Sequence, residues 1–127
     1  MNILLDTNAF IWFLEGSEKL SKKAKKAIEA DENICHVSIA SFWEMAVKIS
    51  VGKLDMAISF EDLNLLAWDN GIEILPIQFA HTKIVSQLPF HHKDPFDRII
   101  IAQSMVENMP VLTSDSCFKY YTNNLIW

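Results

Sequence analysis

The sequence predicts an α/β fold, a parallel sheet covered by helices on both faces. Two observations carry this. Short apolar runs alternate with longer stretches of helical periodicity along all 127 residues. Strands separated by helices also call for crossover connections, which bury both faces of a sheet. With 50% hydrophobic and 21% charged residues, the chain suits one compact domain over residues 1–127, without linker, repeat or low-complexity tract.

The elements follow in order. Ile3–Leu5 reads as a buried strand and leads into a helix through Phe10–Leu14 that Gly16 closes. Ser21 is a good N-cap for a second helix reaching about Asp31. Ile34–Val37 is the next strand, and Ser38 caps a helix in which Ile39, Phe42, Trp43, Ala46 and Val47 form one apolar stripe; Gly52 ends it. A helix from Phe60 to Asn70 stops at Gly71, and strand Ile72–Leu75 is broken by Pro76. A helix near Ala80–Leu88 precedes a polar loop, Pro89 to Pro95. Phe96–Asn108 is helical, Val111–Thr113 is a strand, and Leu125–Trp127 supplies a final one.

Several functional classes are disfavoured. No apolar run approaches the roughly 18 residues of a membrane span, and Met1-Asn2 passes directly into Ile3-Leu4-Leu5-Asp6 without a basic region or cleavage site, so a cytoplasmic location with no membrane partner is expected. Cys35 and Cys117 lie in no CxxC arrangement and read as reduced thiols, Cys35 in a buried strand. A net charge of −5 argues at first against nucleic acid. Two divalent ions held by carboxylates would cancel most of it. Lys19, Lys22, Lys23, Lys25 and Lys26 read as a solvated basic face.

Four acids bear on chemistry: Asp6, Glu44, Asp97 and Asp115. Each follows or lies beside an apolar run, so a parallel sheet can gather them at one edge. Ligands of such sheets bind outside the carboxyl ends of the strands, where Asp6 and Asp115 fall. Gathered carboxylates repel unless something positive lies between them, and hard divalent cations with oxygen ligands suit that position. Taken singly, each acid has a plainer reading. Asp6 and Asp115 can cap turns, Asp97 can complement a helix dipole, and Glu44 can pair with Lys48 on an exposed surface. Their joint occurrence favours a metal site.

The segments Leu4-Leu5-Asp6-Thr7-Asn8-Ala9-Phe10-Ile11-Trp12, Ser38 through Trp43-Glu44, Asp94-Pro95-Phe96-Asp97-Arg98 with Ile101-Ala102-Gln103, and Leu112-Thr113-Ser114-Asp115 closely resemble the PIN-domain family. More narrowly they look like the VapC-type toxins of bacterial toxin–antitoxin pairs. The motifs span nearly the whole chain in the family's order. The resemblance implies a three-layer α/β/α sandwich with a five-stranded parallel sheet and a divalent-metal-dependent endoribonuclease. It further implies an acidic quartet at Asp6, Glu44, Asp97 and Asp115, a homodimer, a tRNA or ribosomal RNA loop as substrate, and a small antitoxin whose tail blocks the site. Asp94 and Asp97 both offer the third acid. Asp97 is preferred because Asp94, before Pro95, is restricted to extended backbone. Ser114 stands where the family often carries a basic residue.

The chemistry that such a site supports is phosphodiester hydrolysis assisted by Mg²⁺ or Mn²⁺. Asp6, Asp97 and Asp115 are expected to hold the ion, with Glu44 sharing a ligand or orienting the attacking water. Water as nucleophile leaves a 5′-phosphate and a 3′-hydroxyl, whereas attack by the 2′-hydroxyl leaves a cyclic phosphate. Thr7, Asn8 and Thr113 are candidates to fix carboxylate rotamers from outside. Arg98 is placed either on a substrate phosphate or against Asp94. His91 and His92, beside Lys93, read as a solvated or substrate-edge pair, since hard cations prefer oxygen. His36 and His81 read as structural. Trp12, Phe13, Phe42 and Trp43 read as core or dimer contact.

Two other classes are alternatives. A receiver-type signalling module needs paired acids after strand one and a phosphoaccepting Asp ending strand three, yet Asp6 stands alone and Asp55 lies in a helix-ending stretch. A PIN-like nuclease acting on DNA, or a non-catalytic binding domain, is the other alternative.

Overall fold

The computed structural model describes Met1–Trp127. Its core is a five-stranded sheet of β1 (Asn2–Leu5), β2 (Ile34–Ser38), β3 (Glu73–Leu75), β4 (Val111–Leu112) and β5 (Leu125–Ile126), in the order β3-β2-β1-β4-β5. Every pairing is parallel, with Leu4 beside His36 on one side and Val111 on the other. The helices are α1 (Thr7–Glu15), α2 (Lys22–Glu29), α3 (Ile39–Ser50), α4 (Leu63–Asp69), α5 (Phe79–Gln87) and α6 (Pro95–Glu107). Short 3₁₀ turns cover Phe60–Asp62 and Ser116–Tyr120. No helix is long and apolar enough to cross a membrane.

Alternation along β1 sorts the core into two layers. Ile3 and Leu5 point to one face and pack with Ala9 and Phe10 of α1, Ala24 and Ile28 of α2, Met45 of α3, and Leu63 and Ala67 of α4. Leu4 points to the other, where Ile100 and Ile101 of α6 meet Val111 and Phe118. The outcome is the expected three-layer α/β/α sandwich.

Cap chemistry sets the helix starts. Ser21 accepts the Ala24 N–H and Ser38 the Ala40 N–H, as their residue types suggest. Asp6 caps α1 and Asp94 caps α6, which therefore begins at Pro95. Gly16 closes α1 at φ +64°, where its N–H reaches the carbonyls of Trp12 and Phe13. Several boundaries differ from expectation. α2 ends at Glu29, α5 starts at Phe79, and the helix placed over Phe60–Asn70 is a 3₁₀ turn followed by α4.

The larger correction concerns α3. Of the stripe Ile39, Phe42, Trp43, Ala46 and Val47, Phe42 packs inward against Phe10, whereas Ile39, Trp43 and Val47 are exposed. Ser41, Glu44 and Met45 take the buried positions. The helix faces the sheet edge with polar groups because partners are waiting for them there.

Candidate active site

The strand order changes direction between β1 and β4, since β1 leads outward to β2 and β3 on one side and β4 to β5 on the other. A crevice opens at the carboxyl ends of the two strands flanking such a point. Asp6 follows β1 directly, and Thr113 and Asp115 follow β4.

Asp6 is buried, 6% exposed. One carboxylate oxygen accepts the Ala9 N–H at 2.8 Å, and the other accepts the Thr113 hydroxyl across the strand gap. Thr113 Oγ1 in turn accepts the Asp115 N–H at 3.0 Å. Asp115 accepts the Cys117 N–H on Oδ1 at 2.9 Å, capping the 3₁₀ turn and leaving Oδ2 toward the crevice. The turn-capping readings of Asp6 and Asp115 are thus correct, and capping is what aims these side chains.

Glu44 is also buried, at 5% exposure, and not on the helix flank. Its Oε1 accepts the Thr7 hydroxyl at 2.6 Å, and Thr7 also reaches Ser41 at 2.8 Å. Its Oε2 pairs with Lys48, the expected i, i+4 partner. Only the lysine end of that pair is substantially solvated, at 43% exposure against 7%. The Glu44 contact raises the Lys48 pKa.

Asp94 and Asp97 separate by role. Asp94 Oδ1 accepts the N–H groups of Phe96 and Asp97, so Asp94 fixes the helix start. Asp97, one turn in, feels the charges of Asp94, Glu44 and Asp6. Asn8 is exposed and makes no hydrogen bond to the acids, so its expected supporting role is not met. Arg98 neither pairs with Asp94 nor faces outward. Its guanidinium donates to the carbonyls of Val85, Leu88, Pro89 and His92 and to the Tyr121 hydroxyl, at 3.1–3.4 Å. A five-donor fork matches such a cluster of carbonyls.

His92 is the residue that sequence reasoning misplaced. Its side chain is only 13% exposed, and Nε2 lies 2.9 Å from Asp115 Oδ2 and 3.1 Å from Asp97 Oδ2. His92 Nε2, an Asp115 oxygen and Cys117 Sγ lie within 4.8 Å of one another. The available signal was its place two residues before the Asp94-Pro95 cap. His91 is exposed and stacks with Tyr120 and Tyr121, as a loop-surface reading expects. His81 is fully buried and bonded to Glu107, a structural role.

The electrostatics are those of crowded, desolvated carboxylates. Burial pushes Asp6 up to about 6, against the lowering effect of Thr113 and Ala9, with Asp115 and Glu44 adding repulsion. Burial, then Asp94 and Glu44, push Asp97 up to about 7. Four carboxylates sharing one crevice offer hard oxygen donors to a divalent cation, and their mutual repulsion is relieved by its charge. The residues therefore fit a hard divalent cation. Asp6, Asp97 and Asp115 are the candidates to hold it, and Glu44 is tethered beside them.

The PIN domain family matches residues 3–123. The chain belongs to that family. No curated protein matches this PIN domain in sequence. In structure it is similar to VapBC2 from Rickettsia felis, solved bound to a DNA fragment from its promoter, with TM-score 0.68 and 18% identity over 99% of this chain and 96% of that one. It is similar to VapBC-1 from nontypeable Haemophilus influenzae, with TM-score 0.67 and 17% identity over 100% and 96%. It is also similar to the PIN domain endonuclease Utp24, with TM-score 0.52 and 18% identity over 93% and 74%. At these identities the structural likeness shows the fold, which is of the PIN type seen in VapC. Membership of the PIN family supports a nuclease, a hydrolase acting on nucleic acid.

Proposed function

We propose that this protein, a single PIN domain over residues 1–127, is a divalent-metal-dependent endoribonuclease and the toxin of a toxin–antitoxin pair. The observation that carries the reading is the convergence of Asp6, Glu44, Asp97 and Asp115 at the β1/β4 crevice, with Asp6 and Asp97 resisting ionisation. Bound Mg²⁺ or Mn²⁺ would supply charge neutralisation at the phosphate, a water of lowered pKa and a partner for the leaving oxygen.

The chain's own residues do the rest. Asp6, Asp97 and Asp115 would hold the ion, and the Thr113 and Thr7 hydroxyls fix the rotamers of Asp6 and Glu44. Glu44, held at both oxygens, orients the water that attacks the phosphate. Lys48, on the solvent side of Glu44, offers positive charge to the approaching backbone. Products carry a 5′-phosphate and a 3′-hydroxyl.

An RNA rather than a DNA substrate is supported by the resemblance to VapC-type toxins, and an exposed single-stranded loop presents its phosphodiester where a duplex hides it. The VapBC neighbours support a small antitoxin partner. Exposed Trp43 at 63% and Phe79 at 84% favour a homodimer, since large apolar groups at a surface mark contact sites. A cytoplasmic location fits both partners.

The test is cleavage of single-stranded RNA and of DNA of the same sequence by the purified protein, with Mg²⁺, with Mn²⁺ and with chelator. RNA cleavage that needs metal, leaves 5′-phosphates and is lost in Asp6→Asn is the expected result. Cyclic phosphate ends, or equal cleavage by the variant, would overturn the reading.

A further inference from the structure

The segment between α5 and α6 is held far more firmly than a surface loop requires. The Tyr121 hydroxyl accepts the N–H groups of His91 and His92, both at 2.8 Å, and donates to the Pro89 carbonyl at 2.8 Å. Arg98, itself against the Tyr121 hydroxyl, also donates to the carbonyls of Pro89 and His92. The His92 ring stands edge-on to Phe118, with centroids 6.0 Å apart, and Phe118 is fully buried. The backbone on either side of His92 is thus fixed, and its ring is packed against Phe118.

Its orientation is chemically specific. The Asp94 backbone N–H points at His92 Nδ1 from 3.2 Å, so Nδ1 accepts and the ring proton sits on Nε2. That N–H faces Asp115 Oδ2 and Asp97 Oδ2 together. A histidine that ligates a metal does the reverse, offering a bare nitrogen to the ion while the other ring nitrogen donates to an acceptor. Here the outer nitrogen meets a donor. A cation shared by Asp97 and Asp115 would face the positive end of the Nε2–H bond.

We propose that His92 is a positioning residue that competes with the divalent cation: its Nε2–H bridges Asp97 and Asp115, and it withdraws when the ion takes those oxygens. The inference rests on the reading of these carboxylates as a metal site. Loading then requires an arrangement with His92 displaced, and the apparent affinity is reduced by the fraction of molecules in that arrangement. Arg98 and Tyr121 set that fraction by tethering the loop. Asp94, which gives up its N–H contact to Nδ1 as the ring leaves, carries the movement to the N-terminus of α6.

The test is an Mg²⁺ titration of the ¹⁵N-labelled full chain, in wild type, His92→Ala and Tyr121→Phe, following the backbone amides of Cys117 and Asp94. Cys117 reports on Asp115 and thus on loading; Asp94 reports on His92. The Asp94 amide of the wild type should shift in step with Cys117. Mg²⁺ should bind His92→Ala about threefold or more tightly than wild type, with Tyr121→Phe between the two. A thermal melt of each variant checks the fold. Weaker binding by His92→Ala would make His92 a ligand or a support for the bound ion and overturn the proposal. So would a wild-type Asp94 amide that stays still while Cys117 moves. No response at Cys117 to Mg²⁺ or Mn²⁺ in wild type and His92→Ala alike would overturn the metal reading itself, and this inference with it.

Discussion

Thr113 and Asp6 are separated by more than a hundred positions in sequence, yet one hydroxyl–carboxylate bond joins them and lowers the Asp6 pKa against the effect of burial. Thr113→Val removes that bond while keeping the shape. Asp6 should then resist ionisation further, and the rising limb of activity against pH should move to higher pH with a rate loss of about tenfold near neutrality. A second consequence follows from Asp6 at about 6 and Asp97 at about 7. Their unfolded values lie near 4, so the folded protein binds these protons more tightly than the unfolded chain. In chelator, the stability that neutral carboxylates allow is present below about pH 4 and is lost as pH rises through 6 to 7. A divalent ion offsets the loss. The rise in Tm on adding Mg²⁺ should therefore be small at pH 5 and reach its full size by pH 8, which differential scanning calorimetry can follow. The capping roles of Asp6 and Asp115 were legible in the sequence, because strand ends and helix starts advertise their caps. It did not reveal His92, whose place depends on Tyr121, a partner 29 positions away.

Helices α3 and α6 show how far periodicity carries. The start of α3 was legible at Ser38, but its buried face was not. Counting apolar residues selects Ile39, Trp43 and Val47, whereas the structure buries Glu44 and Ser41 because Thr7 and Lys48 satisfy them. Hydrophobic patterning cannot anticipate a polar face when one of its partners, Thr7, lies on another element. For α6, the extended backbone that Pro95 imposes on Asp94 is what the structure shows, with Asp94 as the N-cap and Asp97 in the first turn. Asp94→Ala should cost about 1 kcal/mol in urea unfolding through loss of the N-cap. Asp97→Asn should instead abolish cleavage. It should also raise stability in chelator at pH 8, since it removes a carboxylate that burial and its neighbours disfavour. The reverse pattern would assign the third acid to Asp94.

For the whole molecule, the alternation of apolar runs and helical stretches was enough to reach a parallel sheet covered on both faces. The strand order was not readable from that alternation, and the order is what makes the site. With β1 central and β4 beside it, residues 6 and 115 meet at one crevice, α3 brings residue 44 in from one layer and α6 brings residue 97 in from the other. We propose that this crevice holds a divalent ion between carboxylates drawn from four elements. Crystals soaked in Mn²⁺ and measured for anomalous scattering test this. A peak within coordination distance, about 2.2 Å, of oxygens from Asp6, Asp97 and Asp115 is predicted. A peak that avoids these carboxylates, or none at saturating Mn²⁺, would contradict it.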